Sequence, residues 1–150
     1  MTITYRKAVP DDTPDCITLR GLTRENAFSA AELAERGITL ESWRDAIANG
    51  SLPGHVATED GKIVGYCFGH ADSGEIAVLA LLPNREGKGI GKKLLTLMVE
   101  DLRQHGFERL FLGCSADPEV RSYGFYRHLG WRSTGSFDEA GDEVLEYALR

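Results

Sequence analysis

The 150-residue chain has only three cysteines, Cys16, Cys67 and Cys114, and no two of them form a C-x-x-C pair. An odd number at wide spacing supports neither a disulfide framework nor a zinc site. Histidine is as scattered: His55, His70, His105 and His128 show no H-E-x-x-H or facial-triad spacing, so no metal is expected. No apolar run approaches the roughly 18 residues that a membrane span needs, and the first seven residues lack a signal-peptide apolar core. A cytoplasmic location without membrane attachment is the expectation. Positive charge is in deficit. A formal net charge of −6 argues against nucleic acid as the main partner and weakly favours a cationic substrate, although acidity also serves solubility alone. With no internal repeat, low-complexity tract or linker, residues 1–150 read as one domain, long enough to bury a sizeable core.

What is present is the composition of an ordinary globular chain, 42% hydrophobic and 27% charged. Residues 3–9 alternate enough for a first strand, which Pro10 ends. Thr13-Pro14 offers a cap followed by proline at the first helical position, predicting a helix towards Arg24 with Cys16, Leu19 and Leu22 facing inwards. Residues 25–37 permit a helix, and Thr39 caps another through Trp43 and Ile47 to Asn49-Gly50. Strands over 55–59 and 62–69 flank the hairpin turn Asp60-Gly61, and Asp72-Ser73-Gly74 leads into a strand over 75–82. Further on, Ile90, Leu94, Leu97, Met98 and Leu102 keep the i, i+3, i+4 register of an amphipathic helix that His105-Gly106 closes. The apolar run 109–115 predicts a buried strand with a parallel neighbour. Asp117-Pro118-Glu119 caps a short helix through Tyr126 to Gly130, and strands over 131–137 and 144–149 close the chain.

The chain is organised around the passage from the strand at 75–82, through the Pro83 stop and the turn Arg85-Glu86-Gly87-Lys88-Gly89-Ile90-Gly91, into the helix carrying Lys92 and Lys93. A helix start leaves backbone N–H groups without partners and bears the positive end of the macrodipole, and glycines let an anion come close to both. A phosphate is expected there. It is not a P-loop phosphate, because Glu86 stands where the first glycine of G-x-x-x-x-G-K-[ST] belongs and Lys93 where the hydroxyl belongs. Nor is it a dinucleotide fingerprint, since the third glycine would fall on Lys92 or Leu94.

The six residues Glu86-Gly87-Lys88-Gly89-Ile90-Gly91 resemble the acyl-CoA-binding motif [QR]-x-x-G-x-[GA] of the GNAT superfamily of N-acetyltransferases, with Glu86 in place of the usual Gln or Arg. A second stretch resembles the family's N-x-x-A-x-x-x-Y-x-x-x-G-[FW] pattern. Here it reads Glu119, Ser122, Tyr126, Gly130, Trp131, with Glu119 and Ser122 replacing Asn and Ala. The element order resembles the family over essentially the whole chain. The resemblance implies an α/β (α+β) GNAT fold, a mixed central sheet of about six to seven strands flanked by helices, with the fourth and fifth strands splayed apart.

The resemblance further implies acetyl-CoA as co-substrate and direct transfer of its acetyl group to an amine of a small molecule or peptide. The pantetheine arm would pair with the backbone of Leu79, Leu81 and Leu82, and Gly87, Gly89, Ile90 and Gly91 would hold the pyrophosphate. Lys88, Lys92 or Lys93 would meet the 3′-phosphate or else be solvated helix charges, while Glu86, Glu119 and Ser122 occupy motif positions that contact the cofactor. Tyr126 is the candidate general acid, with Tyr123 as fallback, because a phenol stays protonated at neutral pH and can donate to a thiolate. Glu75 is the candidate base; Cys114 is a weaker candidate as acyl carrier. Phe28 and Trp43 line the acceptor pocket or belong to the core. In the family, residues 26–38 and the turn near 137–142 shape that pocket, and Glu25, Glu32, Glu35, Asp138, Glu139 and Asp142 would suit a cationic amine. A non-catalytic acyl-CoA-binding module, transfer of another acyl group, and a homodimer stay open.

Overall fold

Alternating side chains lay down Ile3–Lys7 as β1, and Pro10–Asp12 then tightens into a 3-10 turn. In this computed structural model residues 2–23 and 27–149 are described. The expected helix end at Arg24, with Glu25 and Asn26, lies outside them. Asp12 fastens the turn: its carboxylate accepts from Val9 N–H at 2.8 Å and from both terminal nitrogens of Arg6 at 2.8 Å. Helix α1, Thr13–Arg20, stops at Gly21, so Leu22 leaves the helical register and is 55% exposed instead of facing the core as expected. Helices α2, Ala30–Glu35, and α3, Leu40–Ala48, both start in capping boxes, Ser29 with Glu32 and Thr39 with Ser42.

Strands β2, Gly54–Glu59, and β3, Lys62–Gly69, meet at Asp60-Gly61, whose φ of 52° and 78° give the twist of a tight hairpin. Strand β4, Ile76–Leu81, completes an antiparallel sheet in the order β1-β2-β3-β4. Helix α4, Ile90–Gln104, packs beneath it through Ile90, Leu94, Leu95, Met98 and Leu102. On the other face, Tyr66, Phe68 and Val56 meet Cys16, Leu19, Leu33 and Trp43 from α1, α2 and α3. The sheet thus has a core on each side.

The second half is a separate three-stranded antiparallel sheet, β5 (Arg109–Cys114), β7 (Glu143–Ala148) and β6 (Arg132–Phe137), in the order β5-β7-β6. Seven strands are therefore divided between two sheets, joined by one parallel bridge between Glu75 and Phe111. The parallel neighbour expected for β5 exists only at that bridge. Beyond it no pairing joins β4 and β5, and along β5 the buried Leu110, Leu112 and Cys114 alternate with the more open Arg109, Phe111 and Gly113. Between them in sequence to β6 lies helix α5, Arg121–His128, which starts later than the expected Asp117-Pro118-Glu119 cap. There the Asp117 side chain accepts from Glu119 N–H at 3.0 Å and its carbonyl from Val120 N–H, a turn that competes with helix.

Candidate active site

The divergence of β4 from β5 opens a cleft of about 480 Å³. Its floor is β4, whose far edge is bonded to β3. Leu82 N–H donates to Val64 O at 3.0 Å, towards β3, and amides alternate sides along a strand, so those of Leu81 and Leu79 face the open edge. An extended amide-bearing chain can add there as a strand would.

At the wide end of the cleft, Pro83–Arg85 forms a 3-10 turn held by an ion pair from Arg85 to Glu59. Gly87 and Gly89 then adopt φ of 76° and 82°, a left-handed conformation that side chains disfavour, and Gly89 caps α4. The first intrahelical bond is Lys93 N–H to Gly89 O, so the amides of Ile90, Gly91 and Lys92 precede the ladder, where an anion is stabilised. Gly91 has another task. A Cβ there would approach Leu81 Cδ1 to 3.3 Å, so its smallness lets helix and strand close up. Arg121, from the start of α5, lies 4.0 Å from the Glu86 carboxylate, and a Cβ on Gly87 would meet its Nη2 at 3.8 Å. A guanidinium thus comes to the glycine turn from another element, paired with Glu86.

Midway along the cleft Tyr126 forms part of the wall and is 8% exposed. The end of α5 sets it: Gly130 takes φ 101°, and Leu129 and Trp131 N–H both donate to Tyr126 O at 3.1 Å, which folds the Trp131 ring against Tyr126. The spacing Tyr-x-x-x-Gly-Trp is that of a helix C-cap. Burial pushes the Tyr126 phenol up, so it holds its proton firmly. The Cys114 thiol, also in the wall, is raised by burial as well and is not poised as a thiolate. Beside Gly113 of β5, Asp142 reaches the wall from the β6–β7 turn, its carboxyl raised by burial and by Asp138.

A profile of the Acetyltransferase (GNAT) family matches residues 18–131. The chain belongs to that family. Among solved structures, the PaiA N-acetyltransferase from Thermoplasma acidophilum, in complex with coenzyme A, superposes with a TM-score of 0.83 over 99% of both chains at 20% identity. Salmonella typhimurium yncA, with its cofactor acetyl-CoA, gives 0.74 over 100% of this chain and 95% of that one at 19% identity. At these identities the likeness is one of GNAT fold. In sequence, an amino-acid acetyltransferase of Neisseria meningitidis is 35% identical over 83 residues, 53% of this chain and 19% of that protein. The uncharacterized N-acetyltransferase YjgM of Escherichia coli is 32% identical over 108 residues, 66% of this chain and 58% of its own length. The GNAT chain described here therefore spans well under two thirds of either curated relative.

Of the expected GNAT site residues, Leu79, Leu81, Glu86, Gly87, Gly89, Gly91, Lys92, Ser122 and Tyr126 line the one cleft. Lys88 is exposed and Ile90 is buried in the core, while Leu82 packs between both cores. Glu119 is exposed and outside the lining, and Glu75, whose carbonyl accepts from His70 N–H at 2.8 Å, is not in the lining of the cleft either. Tyr123 is covered by the Arg127 guanidinium, 3.7 Å from its ring centre.

Phe28 and Trp43 line a second chamber, about 430 Å³, which shares Arg20, Phe28, Arg36, Ala77 and Val78 with the cleft. Sequence reasoning passed over Arg20, Arg36, Arg121 and His70. Only the sign of Arg121, opposite to that of the unusual Glu86, offered a clue. Of the acidic residues expected at the acceptor mouth, Asp142 lines the cleft, Glu32, Glu35, Asp138 and Glu139 are not in the lining of either cavity, and Glu25 lies outside the described residues. Glu32 instead accepts from Ser29 N–H at 3.0 Å.

Proposed function

We propose that the protein is an acetyl-CoA-dependent N-acetyltransferase that acts by direct transfer to a small-molecule amine. The observation that carries this reading is the open edge of β4, with a glycine-capped helix start at one end and Tyr126 beside it. The donors fit the co-substrate: unpaired strand amides for the pantetheine, helix-start amides with Arg121 for the phosphates. Acetyl-CoA supplies a thioester carbonyl, to which the amine nitrogen bonds as the carbon–sulfur bond breaks. Leu79 and Leu81 fix the arm, Tyr126 gives its proton to the departing sulfur, and the proton lost by the nitrogen needs a base. Glu75 is the base expected from the sequence; Asp142 shares the cleft with Tyr126, and burial and Asp138 raise its carboxyl pKa, so we assign the proton to Asp142.

The test is acceptor-dependent thiol release from acetyl-CoA by wild type and Tyr126→Phe. The expected result is release that falls ten-fold or more in the variant with acetyl-CoA affinity kept, the scale of a lost general acid being about 10²–10⁴. Acetyl-CoA binding without release for any amine would favour a non-catalytic acyl-CoA module instead.

A further inference from the structure

The cleft does not end at the first residues of β4. Ala77 and Val78 line it and also line a chamber of about 430 Å³, within the range of small-molecule pockets, about 300–1,000 Å³. The chamber is walled by apolar side chains. Trp43 and Phe68 meet edge to face with ring centres 5.5 Å apart, and Leu33 and Leu52 extend that surface. Phe28 stands on the side shared with the cleft, and the guanidinium carbons of Arg20 and Arg36 lie 4.7 and 4.4 Å from its ring centre. Both guanidinium groups are engaged, Arg36 with the Glu32 carboxylate and Arg20 with Thr23 Oγ1, so the stack serves the passage as wall. The hydroxyls of the lining are engaged as well: Ser42 donates to Gly37 O at 3.1 Å and Ser51 to Ala46 O at 3.3 Å. Among the described residues no carboxylate lines the chamber.

Strand β4 runs from this chamber to the glycine turn: Ala77 and Val78 stand near its start, and the turn follows its end. A co-substrate laid along the open edge, with its phosphates at the start of α4, points its thioester towards Ala77. The acceptor nitrogen meets the thioester there, and the rest of the acceptor has the chamber ahead of it. We propose that the acceptor is a monoamine bearing an apolar group, a phenyl ring or an alkyl chain of similar bulk, which passes Ala77 and packs against Trp43 and Phe68 while its nitrogen stays in the cleft. This inference rests on the acetyltransferase reading above. Two small side chains set the size of that group. Ala77 lines both cavities and keeps the passage open, and Ala46, on α3, lines the chamber alone and leaves it room. A second ammonium on the acceptor would shed its water in the chamber with no carboxylate of the described lining to replace it.

The experiment measures thiol release from acetyl-CoA with ethylamine, pentylamine, phenethylamine and 1,4-diaminobutane, pentylamine and the diamine differing only in a terminal methyl against an ammonium. Wild type, Ala77→Leu and Ala46→Leu are compared, with circular dichroism confirming that each is folded and calorimetry that each binds acetyl-CoA. One methylene in a hydrophobic pocket is worth about 10–200-fold in kcat/KM. Phenethylamine and pentylamine are therefore expected to exceed ethylamine by about a hundred-fold or more, and pentylamine to exceed 1,4-diaminobutane by a similar factor. Filling the passage or the chamber with leucine lowers the phenethylamine-to-ethylamine ratio by about ten-fold or more. A flat series, equal or better use of 1,4-diaminobutane, or a ratio that survives both leucine variants overturns the proposal. So does acetyl-CoA binding without turnover of either apolar amine. Failure of wild type to bind acetyl-CoA at all overturns the acetyltransferase reading on which it rests.

Discussion

Two carboxylates compete for the role of base, and their surroundings separate them. Glu75 sits where β4 and β5 still touch, its N–H donating to Ser73 Oγ and its carbonyl accepting from His70 N–H. Asp142 stands in the wall of the cleft, its carboxyl raised by burial and by Asp138. A base works in its deprotonated form, so activity should climb with pH through the Asp142 pKa, which burial and Asp138 raise. Asp142→Asn is expected to remove that limb of the kcat/KM profile and lower the plateau ten-fold or more, whereas Glu75→Gln keeps the limb. A profile lost in the Glu75 variant and kept in the Asp142 variant would reverse the assignment. The placement of Tyr126 before Gly130-Trp131 and of the glycines before Lys92 was legible in the sequence because a helix cap and a helix start are made by consecutive residues. Asp142 and Arg121 stand beside residues far along the chain, Gly113 and Glu86, and no spacing announces that.

At the scale of elements, the turn into α4 is the proposed seat of the cofactor phosphates. Gly89 has open space around its missing Cβ, yet φ of 82°. Alanine there would meet no clash and would suffer only the left-handed backbone cost, about 1–2 kcal/mol. Gly89→Ala should therefore lose about that much stability in a denaturant titration and weaken acetyl-CoA binding as the amides of Ile90 to Lys92 shift. Unchanged affinity would detach the turn from the site. The same locality explains which elements were readable. The hairpin at Asp60-Gly61 and the helix capped by Thr39 follow from their own residues. The start of α5 did not, because the Asp117 side chain prefers a turn to a helix cap. The division of the sheet was implied only by family resemblance: a run such as Leu110-Phe111-Leu112 is apolar whether its neighbour is a strand or a cleft.

Across the whole molecule, β2 is tied to α4 by the buried His55, whose Nε2 lies 3.1 Å from Asp101 Oδ2. His105 adds a ring nitrogen 2.9 Å from the Asp101 carbonyl, and Lys7 lies on the adjoining strand. Burial, helped by Lys7 and opposed by Asp101, lowers the His55 pKa. The unfolded chain then takes up a proton near pH 6.5 that the folded chain resists, so stability is full above that pH and declines as pH falls through the folded value. Thermal unfolding from pH 8 to 5.5 should show this fall, and His55→Gln should flatten it. An equal slope in the variant would assign the loss elsewhere. That tie holds α4 under the sheet whose other edge is left open. The most direct measurement on that edge is hydrogen exchange of backbone amides with and without acetyl-CoA. Protection confined to Leu79, Leu81 and the amides from Gly87 to Lys92 is the expected result. Protection absent from β4, or centred on another strand, would contradict the cleft as the cofactor site.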